Sequence, residues 1–155
     1  MRDLTLSIDV GTGSVRAALV DREGEILHIA SREHDQIVLQ FGWAEQRPLD
    51  WWAGVVASIR ATLPEVENAR DRIAAVCACG QMHGAVLVDE AGALTRDSAP
   101  LWNDKRTAGI VADFERAHPS ADYLKESGNP PTPAWPGMYP RPGRSGTRTA
   151  IPAGT

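Results

Sequence analysis

Three short stretches of this 155-residue chain carry the residue types that chemistry needs. The first is Asp9-Val10-Gly11-Thr12-Gly13-Ser14-Val15-Arg16. In such a turn, backbone N–H groups can converge on phosphate oxygens, and the neighbouring Asp can hold a Mg2+ that neutralises them. It is not a dinucleotide fingerprint, because Arg16 stands at the last glycine position and a strand rather than a helix follows. Taken alone, it is equally an ordinary glycine-rich hairpin turn with an exposed Asp. The second stretch is Gly80-Gln81-Met82-His83-Gly84. It follows a long apolar run, and the carboxyl ends of strands in α/β sheets are where ligands bind. His83 offers ring nitrogens to a hydroxyl-rich molecule and Met82 an adaptable apolar wall, although a lone loop histidine is more often bonded only to its own surroundings. The third is Leu101-Trp102-Asn103-Asp104. An indole face stacks on the C–H face of a sugar or polyol while Asn and Asp bond its hydroxyls; the same residues also fit a core Trp followed by a helix cap.

The surrounding elements must position these groups. Leu4, Leu6, Ile8 and Val10 alternate with smaller or polar residues, a strand pattern, and further strands are expected over 15–21 and 25–30. Short turns join all three, which makes an antiparallel meander with no room for a crossover helix. Pro48 opens a helix that ends at Pro64, with Trp52, Val55, Val56, Ile59 and Leu63 on one stripe and Trp51-Trp52 as its anchor. Residues 73–79 form a continuous apolar run, the pattern of a strand buried on both faces, with Cys77 and Cys79 as small core residues. Residues 85–89 and the Gly92 turn predict another hairpin. Asn103 or Asp104 caps a second helix striped by Ala108, Val111 and Phe114. The fold class is α/β, a mixed sheet flanked by helices.

Composition narrows the function classes. Apolar residues make up 43% of the chain, enough for a core, and a net charge of −4 offers no basic face for nucleic acid or a membrane surface. No apolar run approaches the roughly 18 residues of a membrane span, and Met1-Arg2-Asp3 leads no signal-peptide core. Cys77 and Cys79 are one residue apart on one strand face and cannot easily bridge, so a cytoplasmic chain is expected. His28, His34 and His118 have no companions and read as surface residues. Charge is unevenly spread: residues 1–127 hold all 20 acids, whereas 128–155 hold three arginines, no acid and seven of the 11 prolines. A globular unit is therefore expected to end near residue 127.

In this order, the three motifs together with Gly42-Trp-Ala-Glu-Gln-Arg-Pro48, Trp51-Trp52 and the 127–137 segment resemble the N-terminal lobe of the FGGY carbohydrate kinases. Within that family, the Gln-Met-His-Gly and Trp-Asn-Asp pair most resembles the xylulose kinases. The resemblance implies an actin-like, ribonuclease-H-like lobe, with ATP and a sugar or polyol bound between two such lobes. It would place Asp9 at the Mg2+ and phosphate end, with Gly11, Thr12, Gly13, Ser14 and Arg16 around the nucleotide phosphates. Met82 and His83 would contact the sugar, and Trp102 with Asn103 or Asp104 would line its pocket. The reaction implied is transfer of the ATP γ-phosphoryl to a sugar hydroxyl.

The family's proton-accepting Asp belongs to a later segment that this chain does not contain. After Gly137 the family continues with a Lys-Leu-Leu-Trp-like helix, whereas this chain reads Met138-Tyr-Pro-Arg-Pro-Gly-Arg. The expectation is a partial kinase lobe over 1–137 and an irregular tail over 138–155, disordered or the product of a shifted reading frame, the whole being inactive and poorly soluble by itself. A non-catalytic sugar-binding chain, a degenerate product and a kinase for another sugar or polyol are the alternatives. The oligomeric state is not legible in the sequence.

Overall fold

A computed structural model describes residues 2–118, 120–135 and 138, so the tail expected over 138–155 lies, apart from Met138, outside the described residues. The elements are β1 (Leu4–Val10), β2 (Ser14–Val20), β3 (Ile26–Glu33), β4 (Glu45–Gln46), α1 (Pro48–Thr62), a 3-10 turn (Leu63–Glu65), α2 (Ala69–Arg72), β5 (Ile73–Gly80), β6 (Ala99–Pro100), α3 (Ala108–Ala117) and α4 (Ser120–Ser127). The chain divides into two compact units, one of residues up to 36 with 46–81, the other of residues 37–45 with those from 82 onward.

In the first unit, β1, β2 and β3 form the antiparallel meander expected from the sequence, with Asp9 opposite Arg16 and Ala17 opposite Ala30. β5 then pairs parallel to β1, giving the sheet order β3-β2-β1-β5. A parallel partner requires a crossover, and α1 with the turns after it supplies one. Leu4, Leu6 and Ile8 of β1 and Val15, Ala17 and Leu19 of β2 are buried together, with Val55, Ile59 and Leu63 packed against them.

α1 begins at Pro48 and ends before Pro64 as expected, and Val55, Ile59 and Leu63 of the expected stripe pack on the core, but the residues buried deepest are small ones and Trp52 is not among the buried. Ser58 and Thr62 are its fully buried residues, and their hydroxyls donate to the carbonyls of Val15 (3.2 Å) and Ala17 (2.9 Å). A Cβ on Gly54 would come within 3.0 Å of Val15 Cγ2. The helix lies so close over β2 that only small residues fit beneath it, and Trp52 is left 66% exposed while Trp51 is half-buried.

The strand over 73–80 forms, but it is not buried on both faces: every residue after Ile73 is exposed, Cys77 and Cys79 included. β5 is the edge of the sheet, and α1 packs on β2 and β3, so nothing among the described residues covers it. An apolar run reports that a strand is built for covered faces, not that its cover is present.

β4 and β6 form a short ribbon, and in the second unit the expected hairpin is a single bridge between Val88 and Leu94. Asp89 Oδ1 closes its turn by accepting the N–H groups of Ala91 and Ala93. α3 starts after Thr107, so neither Asn103 nor Asp104 caps it; Val111 is its buried residue. α4 had no counterpart in the sequence reading. Ordered packing runs past residue 127: Ala134 and Met138 are buried, and the Thr107 hydroxyl donates to the Pro133 carbonyl. Among the described residues no helix is long and apolar enough to cross a membrane.

Candidate functional site

The candidate residues fall into two groups, one in each unit. In the first, parallel strands β1 and β5 end in register at Val10 and Gly80, and the Gln81 N–H donates to the Val10 carbonyl at 2.8 Å. The glycine turn and the Gln81 loop therefore leave the sheet from adjacent strand ends. Asp9 Oδ2 lies 3.8 Å from Arg16 Nη1 across the β1–β2 ladder, with the two side chains 43% and 56% exposed. So solvated a pair adds little stability, which leaves both charges available to a ligand. Cys79, opposite Asp9 on β5, directs its thiol to Asp9 Oδ1 at 3.6 Å. Desolvation first, then the Asp9 charge, pushes that thiol above its ordinary range.

The Gly11 N–H donates to Ser14 O at 3.0 Å and closes the hairpin. Gly13 has no positive φ, and a Cβ there would meet nothing within 4 Å, so neither backbone geometry nor internal packing requires glycine at this point. A bare backbone facing open space is what close approach by a phosphate needs. The turn's carbonyls are all engaged from within. His34 Nε2 bonds Gly11 O at 3.1 Å, the His34 backbone N–H bonds Gly13 O at 3.3 Å, and Gln46 Nε2 bonds Thr12 O at 2.7 Å. Gln46 is 1% exposed, and its Oε1 accepts from Trp51 Nε1 (2.9 Å) and Gln81 Nε2 (3.1 Å). His34 is thus no solitary surface residue. Nor is His118, whose ring lies 4.6 Å from that of Phe114; His28 keeps a buried, unpartnered Nδ1.

No cluster of three or more His, Cys, Asp or Glu among the described residues could hold a metal ion. Mg2+ asks for less, one or two carboxylates with substrate phosphates and water completing its shell, and an accessible Asp9 beside an open glycine turn fits that requirement.

The second group begins with Met82, 70% exposed, and His83, which holds the left-handed conformation with φ of 63°. That conformation is uncommon for a non-glycine residue, though histidine adopts it more readily than most. The His83 ring stacks loosely on Trp135, with centroids 6.4 Å apart. Trp102 is 52% exposed. Asp104 behaves otherwise: it is buried, Oδ2 accepts the Ala44 N–H at 2.8 Å, and both oxygens bond Arg106. It therefore braces the loop from behind, and its oxygens are already engaged within the protein.

Arg106 also pairs with buried Glu45 at 2.5 Å, and its guanidinium lies 3.9 Å from the centroid of the Trp43 ring. Glu45 is shared further with Arg96 at 3.2 Å and with the Ser98 hydroxyl. Burial raises the affinity of Glu45 and Asp104 for protons, but bonds from Ser98 and Arg106 to the first, and from Arg106 and Ala44 to the second, outweigh it. Both carboxyls end below their ordinary range. Arg106, also penalised by burial, is held charged by the same two partners. A concavity of about 490 Å3 beside Arg60, Pro64, Glu67 and Arg70 contains none of the candidate residues.

A meander feeding a parallel strand, with an Asp and a glycine turn at the strand ends, is the arrangement of an actin-like α/β lobe. Residues 4–138 match the N-terminal domain of the FGGY family of carbohydrate kinases, and the chain belongs to that family. It is 31% identical over 128 residues to the glycerol kinase of Chelativorans sp. (strain BNC1), a match covering 83% of this chain and 26% of that protein. The crystal structure of a xyloylose kinase from Brucella ovis superposes with a TM-score of 0.78 at 28% identity, covering 87% of this chain and 28% of that one. A xylulose kinase from Rhodospirillum rubrum gives a TM-score of 0.75 at 28% identity, over 82% of this chain and 26% of that one. The chain thus spans 23–26% of the length of the curated glycerol kinases it matches.

Proposed function

We propose that this chain is the N-terminal part of a kinase that transfers the γ-phosphoryl of ATP to a hydroxyl of a sugar, with a xylulose-like ketose as substrate. The observation that carries the reading is the departure of the Gly11–Ser14 turn and the Gln81 loop from adjacent parallel strand ends, with Asp9 accessible beside them. Backbone N–H groups of the turn, the hydroxyls of Thr12 and Ser14 and the Arg16 guanidinium bind the phosphates. Asp9 holds Mg2+, which when bound supplies the charge that neutralises the phosphate oxygens. Met82 and His83 contact the sugar, Trp102 and Asn103 line its pocket, and Asp104 keeps that loop in place. These residues bind and align; in this reading the proton acceptor comes from elsewhere in a longer kinase. The free thiols of Cys77 and Cys79 fit a cytoplasmic setting.

A ketose is favoured over glycerol by the two xylulose-type kinase structures at 28% identity, against which stand the glycerol kinase relatives. Calorimetric titration of the chain with D-xylulose and with glycerol decides between them. Heat with D-xylulose that disappears in His83→Ala is expected. Heat with glycerol alone would replace the ketose by a polyol, and none with either would sink the sugar-binding reading. In a coupled ATP-consumption assay these residues alone are expected to give no turnover. Residues 139–155, beyond the family match and free of acids, are proposed as foreign to the domain through a shifted reading frame. Absence of a kinase-like continuation in the other two frames of the downstream DNA would count against that origin.

A further inference from the structure

The carbonyls of Gly11, Thr12 and Gly13 are each pinned by a group outside the turn, two by His34 and one by Gln46. The peptide bonds here are trans, and in a trans peptide the N–H of one residue points opposite to the carbonyl of the residue before it. Fixing three successive carbonyls inward therefore turns the N–H groups of Thr12, Gly13 and Ser14 to the other side. The pinning groups are themselves held. Gln46 is buried, and because its Oε1 accepts from both Trp51 and Gln81, its NH2 is directed at the Thr12 carbonyl and cannot flip without losing all three bonds. A carbonyl only accepts, so His34 carries its proton on Nε2 toward Gly11, leaving Nδ1 buried without a partner. A plain hairpin turn needs no such support, since its own ladder bond closes it.

We infer that Gln46 and His34 are positioning residues that preset the Gly11–Ser14 turn for a polyphosphate anion. The inference rests on the phosphate reading of that turn and extends it: the direction of the N–H groups is fixed before the anion arrives, so binding does not have to meet the cost of ordering the loop. Trp51 and Gln81 serve as the outer supports of the Gln46 amide.

The test is titration of the 15N-labelled chain with pyrophosphate, followed at the turn amides by NMR, for wild type, Gln46→Met and Trp51→Phe. Gln46→Met keeps the volume and removes the donor without adding charge. Trp51→Phe keeps an aromatic side chain, removes the Nε1–H together with the five-membered part of the indole, and decides the matter if Gln46→Met does not fold. Saturable shifts at Gly11–Ser14 are expected in wild type, with affinity about tenfold weaker in Gln46→Met and a smaller loss in Trp51→Phe. The amides of Ile8 and Leu19 should stay in place, since a general loss of structure would move them too. Unchanged affinity in a folded variant, with wild type binding, would overturn the positioning role and leave the phosphate turn standing. No binding by wild type would overturn the phosphate reading itself, and this role with it.

Discussion

Asp104 Oδ2 accepts the backbone N–H of Ala44 at 2.8 Å while bonding the Arg106 guanidinium at the same distance. One carboxylate thereby ties the segment around Trp43 to the loop that presents Trp102. Asp104→Ala would leave the Ala44 N–H without its acceptor and Arg106 with Glu45 as its remaining buried partner, and a buried donor left unsatisfied costs about 1–3 kcal/mol. Urea denaturation of the variant should show that loss. A change of less than about 1 kcal/mol would mean that water replaces the carboxylate at no cost.

Acid should unfold the second unit through the same groups. Glu45 and Asp104 both titrate below their ordinary values in the folded chain, so the stability they contribute is complete above the unfolded carboxylate range near pH 4. It is lost as pH falls through the lower folded values. Melts followed by circular dichroism should give a Tm nearly constant from pH 7 to 5 and falling below about pH 4, with a shallower acid limb in Asp104→Asn. An acid limb as steep in the variant as in wild type would locate the sensitivity elsewhere.

Two glycine-to-alanine changes should act in opposite directions. At Gly54 the new methyl would press on Val15, a fully buried and rotationally stiff side chain, so Gly54→Ala is expected to lose about 1–2 kcal/mol despite alanine's better helix propensity. At Gly109 in α3 a Cβ meets nothing within 4 Å, and Gly109→Ala should gain about 0.5–1 kcal/mol. Denaturation midpoints moving the same way in both would show that helix propensity outweighs the close approach at Gly54.

How far these features were legible in the sequence depended on whether their cause was local. The alternation over Leu4–Val10, the short turns after it and the Pro48 to Pro64 punctuation placed the meander and α1 correctly. The apolar stripe of α1 found Val55, Ile59 and Leu63 on the core but wrongly included Trp52, and it missed Gly54, Ser58 and Thr62, which lie against β2 because they are small. Asp104 was read as a cap or pocket residue because Ala44, its decisive partner, lies 60 positions away. Nothing in the sequence marked His34 either, since its role is to meet two carbonyls of a turn more than 20 residues earlier. β5 was recognised as a strand, but its burial was inferred from a pattern that presumes covering layers.

The Asp9 carboxylate should also be detectable through its neighbour. Because desolvation and the Asp9 charge hold the Cys79 thiol protonated, its alkylation by iodoacetamide at pH 8 should be slow. Asp9→Asn should accelerate it, as read by mass spectrometry of the peptide carrying both cysteines, with Cys77 as internal reference. Equal rates in the two proteins would show that Asp9 does not govern that thiol.

The parallel pairing of β1 with β5 bears on the order in which the chain assembles. β1, β2 and β3 are joined by short turns and can pair as soon as they are synthesised, whereas β1 keeps its other edge vacant until α1 and the turns after it have been made. Pairings between sequence-distant strands are slow, because the connecting loop must close before they repay it. On that ground the meander with α1 laid over it is expected to form early and β5 to join its sheet last. Throughout that interval, the unpaired edge of β1 is where a nascent chain is most open to capture by a chaperone or by another copy of itself.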